Sequence, residues 1–328
     1  MNSRRMFLAS ATAGLAGSVA PSLLLAQTYP NRPIKIVMPG PAAGVTDALA
    51  RLIAEKLSSR LGQPVIVDNK PGASGILGAQ YVAKAAPDGY TLLYGIASFM
   101  AIPQFLYDKF PIDYQKDFIL LCMIATVPNL LTVKSEFPAN NVPELLKYLS
   151  TNPGKLTYGS WGNGTYPHMA GAYMSQSQNA GMVHVPYKGE APMILDLLAG
   201  QISMAYDNVS VAKPHIEAGK LKALAINGVQ RVAAMPNVPT FAEQGLNDEP
   251  YQVRAWHAMA APAGTPKAIV ERLSEEIRFA CQQPDVAARF TGSGMEVKVS
   301  TPEEAAAFYA AELPVWKRLV KLSGARAE

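Results

Sequence analysis

Short β-branched runs alternate with amphipathic helical segments along almost the whole chain, and this alternation confines it to an α/β architecture. Ile34–Met38 reads as a buried strand. From Thr46 the apolar positions Leu49, Leu52, Ile53, Leu57 and Leu61 share one helical face, and Gly62 follows as a stop. Residues 65–67 form the next strand and 75–84 the next helix. In Pro87-Asp88-Gly89-Tyr90 the Pro presets φ and the Gly accepts a positive one, which makes a turn before a strand at 91–94. Such β-α-β-α-β order implies a parallel sheet with right-handed crossovers.

A second run of the same kind starts near Leu130. It reads as helix 142–150, strand 156–158, helix 167–176, strand 182–185, helix 191–199, and strands 202–207 and 223–226. After a Pro-rich stretch at 235–250, residues 256–261 form one more strand, and helices near 266–282 and 302–322 close the chain. That last portion is too short for an α/β domain of its own, so we expect it to return to the first lobe. The expected division is a discontinuous domain I (27–128 plus 253–328) and a domain II (129–252). Hinge segments fall near 127–130 and 251–256.

The first residues read as an export signal, 1–26. Ser3-Arg4-Arg5-Met6-Phe7-Leu8 precedes a weakly apolar run, with small residues at a cut near Ala26. The Arg pair followed by Phe-Leu looks like a twin-arginine signal and implies export to the periplasm of a folded protein. Pro21 and the Gly and Ser content suit a cleaved segment better than a permanent span. Cleavage leaves 302 of 328 residues, more than one typical core, and lowers the net charge from +4 to +2. That charge is too small for a nucleic-acid surface. Cys122 and Cys281, the two cysteines, could pair in an oxidising compartment. One lies in a strand-like run and the other in a helix, so the reading favoured is two buried free thiols. No CxxC, metal-spaced cluster, GxSxG or Walker motif occurs, so no catalytic residue, metal or cofactor is expected.

Two loops carry the anion-binding expectation. Pro39-Gly40-Pro41-Ala42-Ala43-Gly44-Val45-Thr46-Asp47 joins the first strand to the first helix. Ligands of open α/β sheets bind beyond the carboxyl ends of strands, and exposed N–H groups with a helix dipole favour an anion there. The other reading is a plain turn with Thr46 or Asp47 as helix cap. Tyr158-Gly159-Ser160-Trp161-Gly162-Asn163-Gly164-Thr165-Tyr166-Pro167-His168 repeats the design. There Ser160 and Thr165 bring hydroxyls, and Gly162 and Gly164 expose backbone N–H groups. His168 has no identifiable nucleophile beside it and reads as structural. Asp207 ends an apolar strand and is expected to point into the cleft, or else to cap the segment after it. Arg254 and Trp256 are two apart and share a strand face. Facing the cleft, Arg254 would meet a second ligand carboxylate; Trp256 reads as core.

Several further segments together resemble one family. They are Tyr29-Pro30-Asn31-Arg32-Pro33-Ile34, Asp68-Asn69-Lys70-Pro71-Gly72-Ala73, Ala86-Pro87-Asp88-Gly89-Tyr90-Thr91-Leu92 and Val185-Pro186-Tyr187-Lys188-Gly189. Asp196-Leu197-Leu198-Ala199-Gly200-Gln201, Pro236-Asn237-Val238-Pro239-Thr240 and Ala261-Pro262-Ala263-Gly264-Thr265-Pro266 complete the set. In this order they resemble the solute-binding proteins of tripartite tricarboxylate transporters, the Bug or TctC-like receptors. The resemblance implies a type 2-like Venus-flytrap fold, two lobes each with a central sheet flanked by helices. It implies a small organic mono- or dicarboxylate ligand, membrane transporter subunits as partners, and a monomer. Carried over, the ligand-binding positions are Ala43, Gly44, Thr46 and Asp47, then Ser160, Gly162, Gly164 and Thr165, then Asp207. Ala42-Ala43-Gly44 departs from the family's usual Gly-Gly pair. Arg254 stands where relatives carry a small polar residue, which motivates the expectation of a second acid group on the ligand. A sensory receptor feeding a signalling system is the alternative function, and a periplasmic enzyme the weaker one.

Overall fold

The computed structural model describes residues 29–326, so the export-signal segment lies outside the described residues. Eleven strands are arranged in two mixed sheets among them. The first sheet takes β1 (Ile34–Met38), β2 (Val65–Asn69), β3 (Thr91–Ile96) and β4 (Phe118–Val127). The second takes β5 (Asn129–Lys134), β6 (Thr157–Ser160), β7 (Val183–Pro186), β8 (Met204–Asn208) and β9 (Leu221–Ile226). The chain then returns with β10 (Ala255–Pro262) and β11 (Glu296–Val297), giving the orders β11-β4-β10-β3-β1-β2 and β7-β6-β8-β5-β9.

The parallel β1, β2 and β3 follow from their helical crossovers. β10 enters antiparallel to both β3 and β4, because it arrives from the other lobe rather than over a crossover helix. β5 is likewise antiparallel to β8 and β9. The sheets are therefore mixed, not purely parallel as the strand-helix order implied.

Burial explains where the helices lie. In Val45–Leu61 the buried Leu49, Ile53 and Leu57 recur every four residues, and Gly62 ends the helix at φ 64° with its N–H on the Ser58 carbonyl. Each fully buried side chain of this kind contributes about 1.5–3 kcal/mol. That helix, Lys267–Cys281 and Pro284–Gly292 cover one face of the first sheet. A continuous core runs from the other face of that sheet through Trp256, Trp316 and Tyr166 to the second sheet. Helix Pro302–Ser323 starts from a capping box between Thr301 and Glu304 and packs against both β4 and helix Tyr166–Ser177, touching both lobes.

Only Pro128 separates β4 from β5, and Ala255 of β10 pairs with Val127 beside it. Asn227 clips the two crossings together. Its Oδ1 accepts the Asn129 N–H at 2.7 Å, its N–H donates to the Asn129 carbonyl at 3.0 Å, and its Nδ2 donates to the Val253 carbonyl at 2.7 Å. No helix among the described residues is long and apolar enough to cross a membrane.

Candidate ligand-binding site

A cavity of about 280 Å³ opens between the two sheets. The first lobe supplies Val45 and Thr46 after β1, and Ile96, Ala97 and Ser98 after β3. The second lobe supplies Trp161 after β6, Glu190 at the head of helix Glu190–Ala199, Asn208 at the end of β8, and Ser210 and Val211 after it. The crossings add Asn129, Ala255, Trp256 and His257. Hollows of about 680 Å³ beside Lys317 and about 420 Å³ beside Arg254 are larger. Neither lies between the loops that follow the parallel strands of both sheets, and ligands of open α/β sheets bind beyond the carboxyl ends of the strands.

The first-lobe side of the cavity offers an anion helix N–H groups without a cation. None of its lining residues is Lys or Arg, and the lining His257 is neutral. Burial drives that imidazole down to about 4, with its Nδ1 2.9 Å from the Tyr94 hydroxyl. Helices Val45–Leu61 and Val209–Glu217 begin at the cavity, and neither is capped by its N-cap side chain, Gly44 or Asn208. The first-turn N–H groups of Val45–Leu61 and the positive end of its dipole remain available to a negative group, whereas the Glu190 carboxylate already takes the Asn208 N–H at the start of Val209–Glu217.

Thr46 lines this cavity, whereas Asp47 turns inward. The Arg51 guanidinium, at 2.9 Å from Nε, holds the Asp47 carboxyl below its ordinary range. Asn69 Nδ2 at 2.9 Å and the Ala43 N–H at 3.1 Å complete its shell. Asp47 thus fixes the loop rather than facing a ligand. It holds Ala43 at φ 66°, a left-handed conformation that costs a residue with a Cβ about 1–2 kcal/mol. Gly44 follows as the exposed N-cap.

The second loop spends its polar groups on itself. The Ser160 hydroxyl is 2.7 Å from His184 Nε2 and accepts the Gly162 N–H at 3.2 Å. Thr165 Oγ1 donates to the Gly162 carbonyl at 2.7 Å, and the Gly164 N–H donates to His168 Nδ1 at 3.2 Å. His168 and His184 stack at 4.0 Å, and burial lowers both, His184 to about 4. Gly164 has φ 72°, and a Cβ there would stand 2.7 Å from Leu106 Cδ1 of the first lobe. Trp161 is the residue this loop contributes to the cavity wall.

The structure places Asp207 and Arg254 away from the cavity. Asp207 is fully buried, with Oδ2 accepting from the Thr132 hydroxyl and Oδ1 unpartnered, and burial pushes its carboxyl up to about 7. Strand alternation turns the next residue, Asn208, to the cavity instead. Arg254 lines the 420 Å³ hollow. There Nη1 meets Glu296 Oε2 at 2.5 Å, Nε donates to the Asn227 carbonyl at 3.0 Å, and Nη2 donates to the Gln230 carbonyl. With donors committed to β11 and to the segment just after β9, this guanidinium is a structural tie.

Glu190, Asn129 and Asn208 line the cavity although no sequence pattern singled them out. Glu190 reads as an ordinary acid in a helix first turn. Its partner Asn208 lies eighteen residues on, and only the fold joins them: the Asn208 N–H donates to Glu190 Oε1 at 2.5 Å and its Nδ2 to Oε2 at 2.7 Å. Burial raises the Glu190 carboxyl, and these two bonds oppose the rise.

Residues 49–325 match the family described as tripartite tricarboxylate transporter family receptor. A protein from the tcbD–tcbE intergenic region of Pseudomonas sp. strain P51 is 37% identical over 312 residues, covering 94% of this chain and 92% of its own. Among solved structures, an R. palustris protein with adipate superposes with a TM-score of 0.77 at 33% identity, over 91% of this chain and 99% of that one. MatC from Rhodopseudomonas palustris with bound malate gives 0.73 at 32% identity, over 89% and 100%. The chain has the two-lobed α/β fold of solute-binding proteins and belongs to the tripartite tricarboxylate transporter receptor family.

Proposed function

We propose that this protein is a periplasmic receptor that captures a small organic carboxylate in the interlobe cavity and delivers it to the membrane subunits of a tripartite tricarboxylate transporter. The observation that carries the reading is the uncapped N-terminus of helix Val45–Leu61, which opens from the first lobe onto an interlobe cavity without Lys or Arg. A carboxylate placed there would accept N–H groups around Val45 and Thr46 and draw the lobes together. A volume of about 280 Å³ suits a small ligand, since cavities for drug-sized molecules run from roughly 300 to 1,000 Å³.

The relatives solved with adipate and malate support the ligand class. The Arg4-Arg5 signal-like start supports export by the twin-arginine route, with cleavage near Ala26. Of the positions carried over from the family, Thr46 faces the ligand in this reading. Ala43, Gly44, Asp47, Ser160, Gly162, Gly164 and Thr165 shape the two loops.

A thermal-shift screen of the monomeric protein against a carboxylate panel tests capture, because a ligand that binds only the folded state raises Tm. Binding at a hundred times Kd corresponds to about 2.7 kcal/mol. If neutral sugars shift the protein and no carboxylate does, the reading is wrong. Delivery is tested by uptake into vesicles holding the two membrane subunits, which should require this protein.

A further inference from the structure

The far wall of the cavity asks for a hydrogen-bond donor. Glu190 is the one acid among the lining residues, and no lining cation balances it. Its two oxygens accept from Asn208, one from the backbone N–H and one from Nδ2. That choice fixes the Asn208 amide, so Asn208 Oδ1 becomes an acceptor and takes the Asn129 Nδ2 at 2.9 Å. The Asn129 amide is thereby oriented as well. Its remaining atom, Oδ1, is an acceptor buried without a partner on a residue only 1% exposed. Leaving such an atom unmet costs roughly 1–3 kcal/mol.

A plain dicarboxylate would offer this wall a second negative group and no donor. A carboxylate bearing an ammonium offers charge opposite to Glu190 and up to three N–H donors, one of them for Asn129 Oδ1. Its carboxylate would lie toward the start of helix Val45–Leu61 in the other lobe. A hydroxyl could serve Asn129 Oδ1 but would leave the acid uncompensated. Asn208 sits at the N-cap of helix Val209–Glu217, yet its amide serves Glu190 and Asn129 instead of its own helix.

We propose that the cavity selects an amino-acid-type ligand, a small carboxylate carrying a protonated amine, over the amine-free acid of the same skeleton, and that Glu190 with Asn129 sets this preference. The proposal rests on the carboxylate-receptor reading. Isothermal titration of the intact protein with matched sets tests it: succinate, malate and aspartate; glutarate and glutamate; 3-phenylpropionate and phenylalanine. In the skeleton that binds, the amine should bind at least tenfold tighter than its amine-free partner. Glu190→Gln should narrow that ratio to threefold or less while the amine-free acid binds as well as before or better.

If an amine-free acid binds as tightly as its amine, or malate binds more tightly than aspartate, the selectivity proposal fails and the carboxylate reading stands. If no acid in any set binds, the selectivity proposal fails, and the wider thermal-shift panel decides the carboxylate reading. The comparison within the native protein decides the matter even where Glu190→Gln does not fold.

Discussion

Gly294 and Ser210 approach so closely that a Cβ added at Gly294 would stand 2.7 Å from the Ser210 backbone nitrogen. Gly294 precedes β11 in the first lobe, and Ser210 stands in the first turn of helix Val209–Glu217 in the second. Its neighbours Ser293 and Met295 line the cavity, as Ser210 does. Gly294 also holds φ at 74°, so any other residue meets both backbone strain and a backbone contact that cannot rotate away.

Gly294→Ala should therefore act on stability and on binding together. The left-handed conformation costs about 1–2 kcal/mol, readable as a lower denaturation midpoint. Ligand affinity should fall about tenfold, or ~1.4 kcal/mol, as the lobes are wedged apart. Unchanged affinity in a destabilised variant would show that this contact does not control closure.

Arg254→Ala should behave differently. Losing the Glu296 pair and two carbonyl acceptors should cost about 1.5–3 kcal/mol, the range of a hydrogen bond to a charged group. Carboxylate affinity should stay within threefold, because the guanidinium lies outside the cavity. A dicarboxylate lost selectively in this variant would return Arg254 to the ligand.

Asp207 gives a signed pH prediction. Its folded carboxyl lies at about 7, above an ordinary 3.8, so its contribution is full below pH 4 and is lost as pH rises through 7. His184 and His257, both driven down to about 4 from 6.5, work oppositely: their contribution is present above pH 6.5 and lost as pH falls through 4. The two trends offset one another in the native protein. Asp207→Asn removes the first, so stability should climb more steeply from pH 4 to 7 than in the native chain, whatever the substitution costs at every pH. Urea titrations at four pH values would show it, and parallel curves would refute it.

The cysteines should be chemically silent. Cys122 and Cys281 are free and buried, and burial raises both thiols, Cys122 to about 11. A thiol reagent should label neither in the folded protein and both in denaturant, since the thiolate is the reactive form. Rapid labelling under native conditions would mean that the core around β4 opens readily.

Much of the architecture was readable because periodicity and turn chemistry are local. The four-residue spacing through Leu49, Ile53 and Leu57 and the stop at Gly62 appear in the helix as written. Strand direction was not readable: nothing within 256–261 tells that β10 runs against β3 and β4. β11 has two residues and no periodicity to detect. At the cavity, loop positions could be named, yet the facing of individual side chains depends on partners far along the chain. Arg254 is committed by Glu296, forty-two residues away, and Asp47 by Asn69, twenty-two away. Glu190 carries no local mark because its role comes from Asn208 and Asn129, which only the packed sheet brings within reach.

The lack of a lysine or arginine around the cavity bears on where such a receptor can work. Free ions screen exposed charges over roughly 8–10 Å at ordinary ionic strength but act weakly on sheltered dipoles. A grip made from a helix end should hold its ligand almost equally in dilute and in salty water. Arrival then gains little from electrostatic steering and proceeds at the pace of neutral encounter. For a periplasmic receptor of this kind, speed of capture would be exchanged for tolerance of the surrounding salt.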